Sequence, residues 1–169
     1  MPLIFLIGFM GSGKTTFGKK LANKLKMGFI DIDEDVVKQS GVTSIKELIE
    51  TRGMDFFRQA ESDVLKSLTS TAAVVSTGGG TPCYFDNMKW MKSKGVVVFL
   101  KLDEGIIFSR LSTTSLEERP LLKGLDDEGL KAFIHNTLVQ RLPYYEQADI
   151  TFDPIHEKMD ALLGKLMDN

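Results

Sequence analysis

The sequence predicts a single three-layer α/β domain, in which a five-stranded parallel sheet carries helices on both faces. Five short apolar runs alternate along the chain with longer segments whose apolar residues recur at helical spacing. Strands that alternate with helices in this way form parallel sheets covered on both sides. The length of 169 residues is that of one domain with a substantial core. We therefore expect residues 1–169 to form one unit.

The first strand leads into a glycine-rich loop. Residues 3–7 are apolar, as in a strand buried on both faces. Residues 8–15 then read G-x-x-x-x-G-K-T, the phosphate-binding loop pattern. Its glycines let successive backbone N–H groups point at phosphate oxygens. We expect a nucleoside triphosphate to be bound here by Gly11, Ser12, Gly13, Lys14, Thr15 and Thr16.

Two side chains of this loop carry specific chemistry. Lys14 places a positive charge at the β and γ phosphates, and the Thr15 hydroxyl can ligate Mg²⁺. From Lys14 onward the apolar residues have helical spacing, so the first helix opens its N-terminus onto the phosphates. A glycine-rich turn without a ligand is the alternative interpretation.

The second strand, predicted over residues 28–33, ends in two carboxylates. Residues two apart in a strand share a face, so Asp31 and Asp33 are expected to face one space, roughly 7 Å apart. Strand ends in open α/β sheets border the ligand crevice, beside the phosphate loop. The alternative is that Asp33 caps a helix.

Residues 45–68 have helical periodicity that is broken at Gly53, which predicts a short helix followed by a longer one. On the longer helix, Arg58 and Glu61 stand three residues apart and can pair. Periodicity alone favours a solvated pair, worth a few tenths of a kcal/mol.

The third strand, at residues 72–76, runs into Gly78, Gly79 and Gly80, which would let a ligand approach the backbone closely. A flexible loop is the alternative. A fourth strand at residues 96–100 precedes a helix that carries Arg110.

The polar segment of residues 112–124 breaks the periodicity and carries Arg119. A loop of this length in a compact domain is often a lid. A further helix starts at Asp126, with Arg141 just beyond its apolar face. A last short strand at residues 150–152 and a final apolar helix complete the chain.

Composition narrows the possible partners and the compartment. The 21 basic and 23 acidic residues nearly balance, which gives no support for a nucleic-acid or membrane partner. Cys83 is alone, so no intrachain disulfide forms, as suits a reducing compartment. The apolar start lacks a basic flank and reads as a core strand instead of a signal peptide. We expect a cytoplasmic protein.

Taken together and in order, these residues resemble the shikimate kinase family over essentially the whole chain. The points of resemblance are G-F-M-G-S-G-K-T at residues 8–15, D-x-D at 31–33, F-R-x-x-E at 57–61, the glycines at 78–80, R-P-L-L at 119–122, and Arg141 with Tyr144. Each one after the first is weak alone, and their common order and spacing make the resemblance specific.

The resemblance implies a P-loop kinase fold with strand order 2-3-1-4-5. It implies transfer of the γ-phosphoryl group of ATP, with Mg²⁺, to the 3-hydroxyl of shikimate, a step towards chorismate and the aromatic amino acids. It also implies a substrate-binding helical segment at about residues 34–60 and a lid at about 112–124. We further expect a monomer.

Residue roles follow from the same resemblance. Lys14, Asp33 and Arg119 would be catalytic, and Arg110 and Arg119 would contact ATP together with the phosphate loop. Thr15, and Asp31 through water, would hold the metal. Shikimate would be bound by Asp33, Arg58, Gly78, Gly79, Gly80 and Arg141, which reverses the solvated-pair interpretation of Arg58.

Two alternatives stay open at this point. One is another enzyme of similar build, such as a gluconate or nucleotide kinase; gluconate also has a carboxylate and hydroxyls, so generic chemistry does not exclude it. A nucleotide-dependent switch would need N-K-x-D after a strand, and residues 23–26 lack the aspartate. The D-x-x-G at residues 126–129 starts a helix with no strand before it.

Overall fold

A computed structural model describes residues 3–69, 72–114 and 119–168. Its centre is one five-stranded sheet in the order β2-β3-β1-β4-β5, with every pairing parallel. The strands are β1 Leu3–Ile7, β2 Gly28–Asp31, β3 Ala73–Ser76, β4 Gly95–Leu100 and β5 Ile150–Phe152. The fold class and the strand order predicted from the sequence are confirmed.

Eight α-helices surround the sheet in the described part of the chain. They are α1 Lys14–Leu25, α2 Ile32–Ser40, α3 Ile45–Arg52, α4 Met54–Lys66, α5 Asn87–Lys94, α6 Glu104–Ser112, α7 Asp127–Tyr145 and α8 Met159–Met167, with a short 3₁₀ helix at Thr81–Cys83. None of the helices in these ranges is both long and apolar enough to cross a membrane.

The sheet separates two apolar cores, because successive side chains of a strand point to opposite faces. Along β1, Phe5 and Ile7 belong to the larger core, and Ile4 and Leu6 belong to the smaller one. All five residues of β1 are buried, which agrees with the unbroken apolar run in the sequence. The loop after Ile7 therefore begins at the carboxyl end of this buried central strand.

The prediction for the end of the second strand is wrong. The strand ends at Asp31, and Asp33 lies in the first turn of α2. Asp31, not Asp33, is the N-cap: its Oδ1 accepts from the backbone N–H groups of Asp33 at 3.1 Å and Glu34 at 3.4 Å. A carboxylate at this position satisfies helix N–H groups that lack partners, so it turns the chain from strand to helix.

The helix that carries Arg141 is longer than its periodicity indicates. It runs from Asp127 to Tyr145 and includes Pro143, so Arg141 lies inside α7 and not beyond it. The Gly53 break and the Asp126 start are as predicted, since Gly53 separates α3 from α4 and Asp126 caps α7. Of the predicted lid, residues 115–118 lie outside the described residues.

Candidate active site

The loop after β1 is shaped by glycines in conformations that side chains rarely adopt. Gly11 and Gly13 have φ of 77° and 86°, in the left-handed region. A Cβ at Gly8, which has φ of 145°, would lie 2.7 Å from the carbonyl oxygen of Leu100. The loop is thus held against β4 at a distance that only glycine permits, and Gly13 opens α1.

Lys14 lies across this loop and is almost fully buried. Its Nζ donates to the carbonyl oxygens of Gly8 at 2.8 Å and Phe9 at 2.9 Å. Burial lowers the pKa of Lys14 from its ordinary value to about 8, against the opposing attraction of Asp33. Because an anion raises the pKa of a neighbouring ammonium group, phosphate oxygens here would stabilise the charged form of Lys14.

The start of α1 and the ends of β2 and β3 bring three oxygen-bearing side chains together. Thr15 Oγ1 donates to Asp31 Oδ2 at 2.8 Å and lies 3.4 Å from Ser76 Oγ. No cluster of three or more His, Cys, Asp or Glu side chains that could hold a metal occurs among the described residues. Two hydroxyls and one carboxylate fit Mg²⁺, which prefers oxygen ligands, few protein groups, and water or substrate phosphates for the rest.

These residues line the phosphate-loop cavity, a space of about 310 Å³ that also includes Gly11, Gly13 and Thr16. Ser12 is buried behind it, and its Oγ lies 3.4 Å from Lys14 Nζ. Arg110 reaches the loop from α6, where its Nη1 donates to the carbonyl oxygen of Gly11 at 3.1 Å. Arg110 is thus in contact with the phosphate loop, and nucleotide binding by the loop residues and Arg110 stays a prediction.

A second space of about 240 Å³, here called the arginine cavity, adjoins the first. Arg58 and Arg141 line it together with apolar side chains of α3 and α4. The apolar residues are Ile45, Ile49, Met54 and Phe57. Residues of α3 and the start of α4 thus line this cavity, and the substrate-binding role of residues 34–60 stays a prediction.

Arg58 and Glu61 form a buried ion pair, contrary to what periodicity alone favours. Arg58 is 7% exposed and Glu61 is 0% exposed, and Nη1 donates to Oε2 at 2.9 Å. The other carboxylate oxygen, Oε1, accepts from the Thr81 hydroxyl at 2.5 Å. Helical periodicity missed this pair because the residues that bury it come from the segment after β3, 20 or more positions later.

Arg141 differs from Arg58 in its charge environment. It is 8% exposed, yet no carboxylate lies within ion-pair distance of it among the residues that the structure describes. Its Nη1 is buried and has no hydrogen-bond partner there, as is also true of Arg58 Nε. An uncompensated buried cation is costly, so an anion bound next to it would be favoured.

The three glycines after β3 allow close packing of these charged groups. A Cβ at Gly80 would lie 2.6 Å from Arg58 Nη2, and one at Gly79 would lie 3.2 Å from Arg141 Nη1. A Cβ at Gly78 would collide with Glu61 Oε1 and lie 3.1 Å from Asp33 Oδ1. The glycines therefore form a tight wall beside both arginines, not a flexible loop without contacts.

Asp33 and Arg119 lie where the two cavities meet, since each lines both of them, together with Met10, Gly78 and Gly79. The Oδ1 atom of Asp33 is buried and has no hydrogen-bond partner in the described part of the chain. Burial raises the pKa of Asp33 to about 7, and the nearby carboxylates of Glu61 and Asp31 add to the rise. A carboxyl group of this pKa can accept a proton near neutral pH.

The fold and the paired cavities define a P-loop kinase for a small molecule. The phosphate loop, the oxygen set for Mg²⁺ and the arginine cavity meet at Asp33, so phosphate donor and acceptor can be adjacent. The family model described as shikimate kinase matches residues 10–168. The chain belongs to the shikimate kinase family, and the resemblance seen in the sequence is confirmed.

Relatives support this assignment along the whole chain. A shikimate kinase of Bacteroides fragilis is 43% identical over 153 residues, which cover 90% of this chain and 84% of the relative. A shikimate kinase structure from Bacteroides thetaiotaomicron has a TM-score of 0.84 and 37% identity, covering 99% and 95% of the two chains. The Acinetobacter baumannii shikimate kinase in complex with shikimate has a TM-score of 0.86 and 32% identity, with coverage of 99% and 92%.

A gluconokinase of Sinorhizobium meliloti shares the fold at a TM-score of 0.58 with 16% identity. At this identity the likeness concerns the fold alone. The fold does not by itself choose between the two substrates.

Proposed function

We propose that this protein transfers the γ-phosphoryl group of ATP to the 3-hydroxyl of shikimate and produces ADP and shikimate 3-phosphate. The observation that carries the proposal is a set of three buried polar atoms that lack protein partners. They are Asp33 Oδ1, Arg58 Nε and Arg141 Nη1, and their residues all line the arginine cavity. Two cationic donors and one carboxylate acceptor complement a small molecule that has a carboxylate and hydroxyl groups.

The apolar side of the same cavity fits the carbon ring of such a molecule. With the carboxylate at Arg58 and Arg141, the hydroxyls would point towards Asp33 and the junction with the phosphate-loop cavity. The apolar wall of α3 and α4 would exclude water from the ring, which strengthens the charged contacts beside it.

The chemistry then needs positioning and charge stabilisation more than covalent help. The hydroxyl oxygen attacks the γ-phosphorus, the bond from that phosphorus to the bridging β–γ oxygen breaks, and ADP leaves. Asp33 takes the hydroxyl proton. Lys14 and Arg119 would stabilise the negative charge on the transferring group, and Mg²⁺ held near Thr15 and Asp31 would neutralise phosphate oxygens.

The test is a coupled ADP-release assay with MgATP and shikimate, gluconate and nucleoside monophosphates side by side. We expect shikimate to be phosphorylated with a kcat/KM at least about 10²-fold above the others. The apolar lining of the cavity fits a carbon ring, which the open-chain gluconate lacks, and a nucleoside monophosphate carries a phosphate instead of a carboxylate. Faster turnover of gluconate or a nucleoside monophosphate would show that the substrate assignment is wrong. We also propose that the enzyme acts as a cytoplasmic monomer.

Asp31→Asn is expected to raise the Mg²⁺ concentration for half-maximal rate by roughly 10-fold, because it removes a negative charge beside the metal. The fold should persist, since an asparagine oxygen can still cap α2. Measuring the rate against free Mg²⁺ at saturating ATP checks this. Asp35→Asn is the control, because Asp35 lies on α2 and lines neither cavity, and it should titrate like wild type. Superimposable titrations for Asp31→Asn and wild type would argue against the metal role.

A further inference from the structure

Tyr145 is a buried side chain with a polar end, four residues after Arg141 on α7. It is 0% exposed, and its ring packs on Phe99 of β4 with centroids 5.0 Å apart. Residues four apart on a helix share a face, so Tyr145 and Arg141 project towards the same part of the protein. The ring is core, and the hydroxyl extends from it to the wall of the active site.

That hydroxyl donates to the carbonyl oxygen of Gly79 at 2.5 Å. Gly79 is the middle glycine of the wall, and Arg141 Nη1 lies 3.2 Å from the position of a Cβ on it. Tyr145 and Arg141 thus converge on one residue that lines both cavities. A hydrogen bond to an inflexible, buried ring holds the Gly79 carbonyl at a fixed distance from the guanidinium.

The hydroxyl keeps its proton at any physiological pH. Burial raises the pKa of Tyr145 well above its ordinary value, and the neighbouring Arg141 charge only partly opposes the rise. Tyr145 is therefore a permanent donor to Gly79, and its hydroxyl lies close enough to the Arg141 guanidinium for that charge to act on its pKa.

We propose that Tyr145 is a positioning residue for the substrate carboxylate: its hydroxyl fixes the Gly79 carbonyl and, through that wall, the place of the Arg141 guanidinium. This inference rests on the proposed function, because it assigns Tyr145 to the carboxylate end of the arginine cavity. The adjacent Tyr144 has no such role. It is 39% exposed and makes no side-chain hydrogen bond among the described residues.

The test compares Tyr145→Phe with the matched control Tyr144→Phe. Phenylalanine keeps the ring and its packing on Phe99 and deletes only the hydroxyl. We expect Tyr145→Phe to raise the KM for shikimate roughly 5- to 20-fold, since a buried carbonyl loses its partner. The kcat and the KM for ATP should stay within about twofold of wild type, and Tyr144→Phe should match wild type throughout.

A second measurement separates positioning from general loosening of the fold. Wild type should prefer shikimate to its neutral carboxamide, and Tyr145→Phe should lose part of that preference. An unchanged shikimate KM in Tyr145→Phe would overturn the positioning role. So would a lower Tm accompanied by equal losses for ATP, shikimate and the carboxamide. If wild type failed to phosphorylate shikimate, the proposed function itself would be overturned together with this inference.

Discussion

Replacing Asp33 with asparagine is expected to lower kcat/KM for shikimate by roughly 10²- to 10⁴-fold, the usual worth of a general base. Asparagine has nearly the same size and can still accept a hydrogen bond from the substrate hydroxyl, but it cannot take the proton. Among the described residues, Asp33 is also the only carboxylate that lines both cavities.

Steady-state kinetics of Asp33→Asn, with intact folding verified by circular dichroism, measure this effect. Glu34→Gln is the control, because Glu34 is the next carboxylate along α2, is exposed and lines neither cavity. It should retain wild-type kcat/KM. A well-folded Asp33→Asn enzyme with a kcat/KM near wild type would remove Asp33 from the chemical step.

The raised pKa of Asp33 gives the same prediction a pH signature. Below pH about 7 the carboxyl group of free wild type holds its proton, so kcat/KM should fall as the pH falls through about 7. Stability should change in the opposite sense. Unfolded Asp titrates near 3.9, so between about pH 4 and 7 only the folded state binds this proton, and rising pH destabilises it.

Asp33→Asn removes that penalty. Its Tm should therefore exceed that of wild type above pH 7, by about 2–4 °C for each kcal/mol relieved, and the difference should shrink towards pH 4. A Tm difference that does not depend on pH would contradict the raised pKa.

The sequence predicted those features whose causes are local. The apolar run of β1, the glycine pattern of the phosphate loop and the helix break at Gly53 each depend on neighbouring residues, and each appears where expected. Parallel strands joined by helices then place the loop and the ends of β2 and β3 at one edge of the sheet. Asp31 and Asp33 reach this edge, but not by strand alternation, since Asp31 caps α2 and Asp33 lies in the first turn of that helix.

Features set by contacts distant in sequence could not be found this way. The burial of Arg58 and Glu61 depends on Thr81 and Gly80, and nothing near position 58 signals those contacts. The sequence does not predict the role of Tyr145 for the same reason, and the resemblance points to its neighbour Tyr144 instead. The spacing of four from Arg141 is the local signal that could have identified it, once α7 is known to continue past Pro143.

The two arginines of the cavity should respond in opposite ways when each is replaced by methionine. Arg58 neutralises the fully buried Glu61, so Arg58→Met leaves an unpaired carboxylate, a loss of about 3–5 kcal/mol in stability. A second substitution, Glu61→Gln, should restore much of the Tm, because glutamine can still accept from Thr81 without a charge.

Among the described residues, Arg141 forms no ion pair, so Arg141→Met leaves no carboxylate unpaired. The Tm of the free protein should therefore be unchanged or higher. Arg141→Met should instead weaken the binding of shikimate. Loss of one cation from a buried carboxylate is worth about 2–5 kcal/mol, so the KM for shikimate should rise between roughly 30-fold and a few thousand-fold.

Thermal unfolding with and without shikimate distinguishes the two roles, with the exposed Arg52→Met as control. Shikimate should raise the Tm of wild type and of Arg52→Met, and it should barely raise that of Arg141→Met at the same concentration. A fall in the free-protein Tm of Arg141→Met as large as that of Arg58→Met would show that Arg141 supports the fold. In that case the buried, unpaired guanidinium would no longer be evidence for a substrate carboxylate.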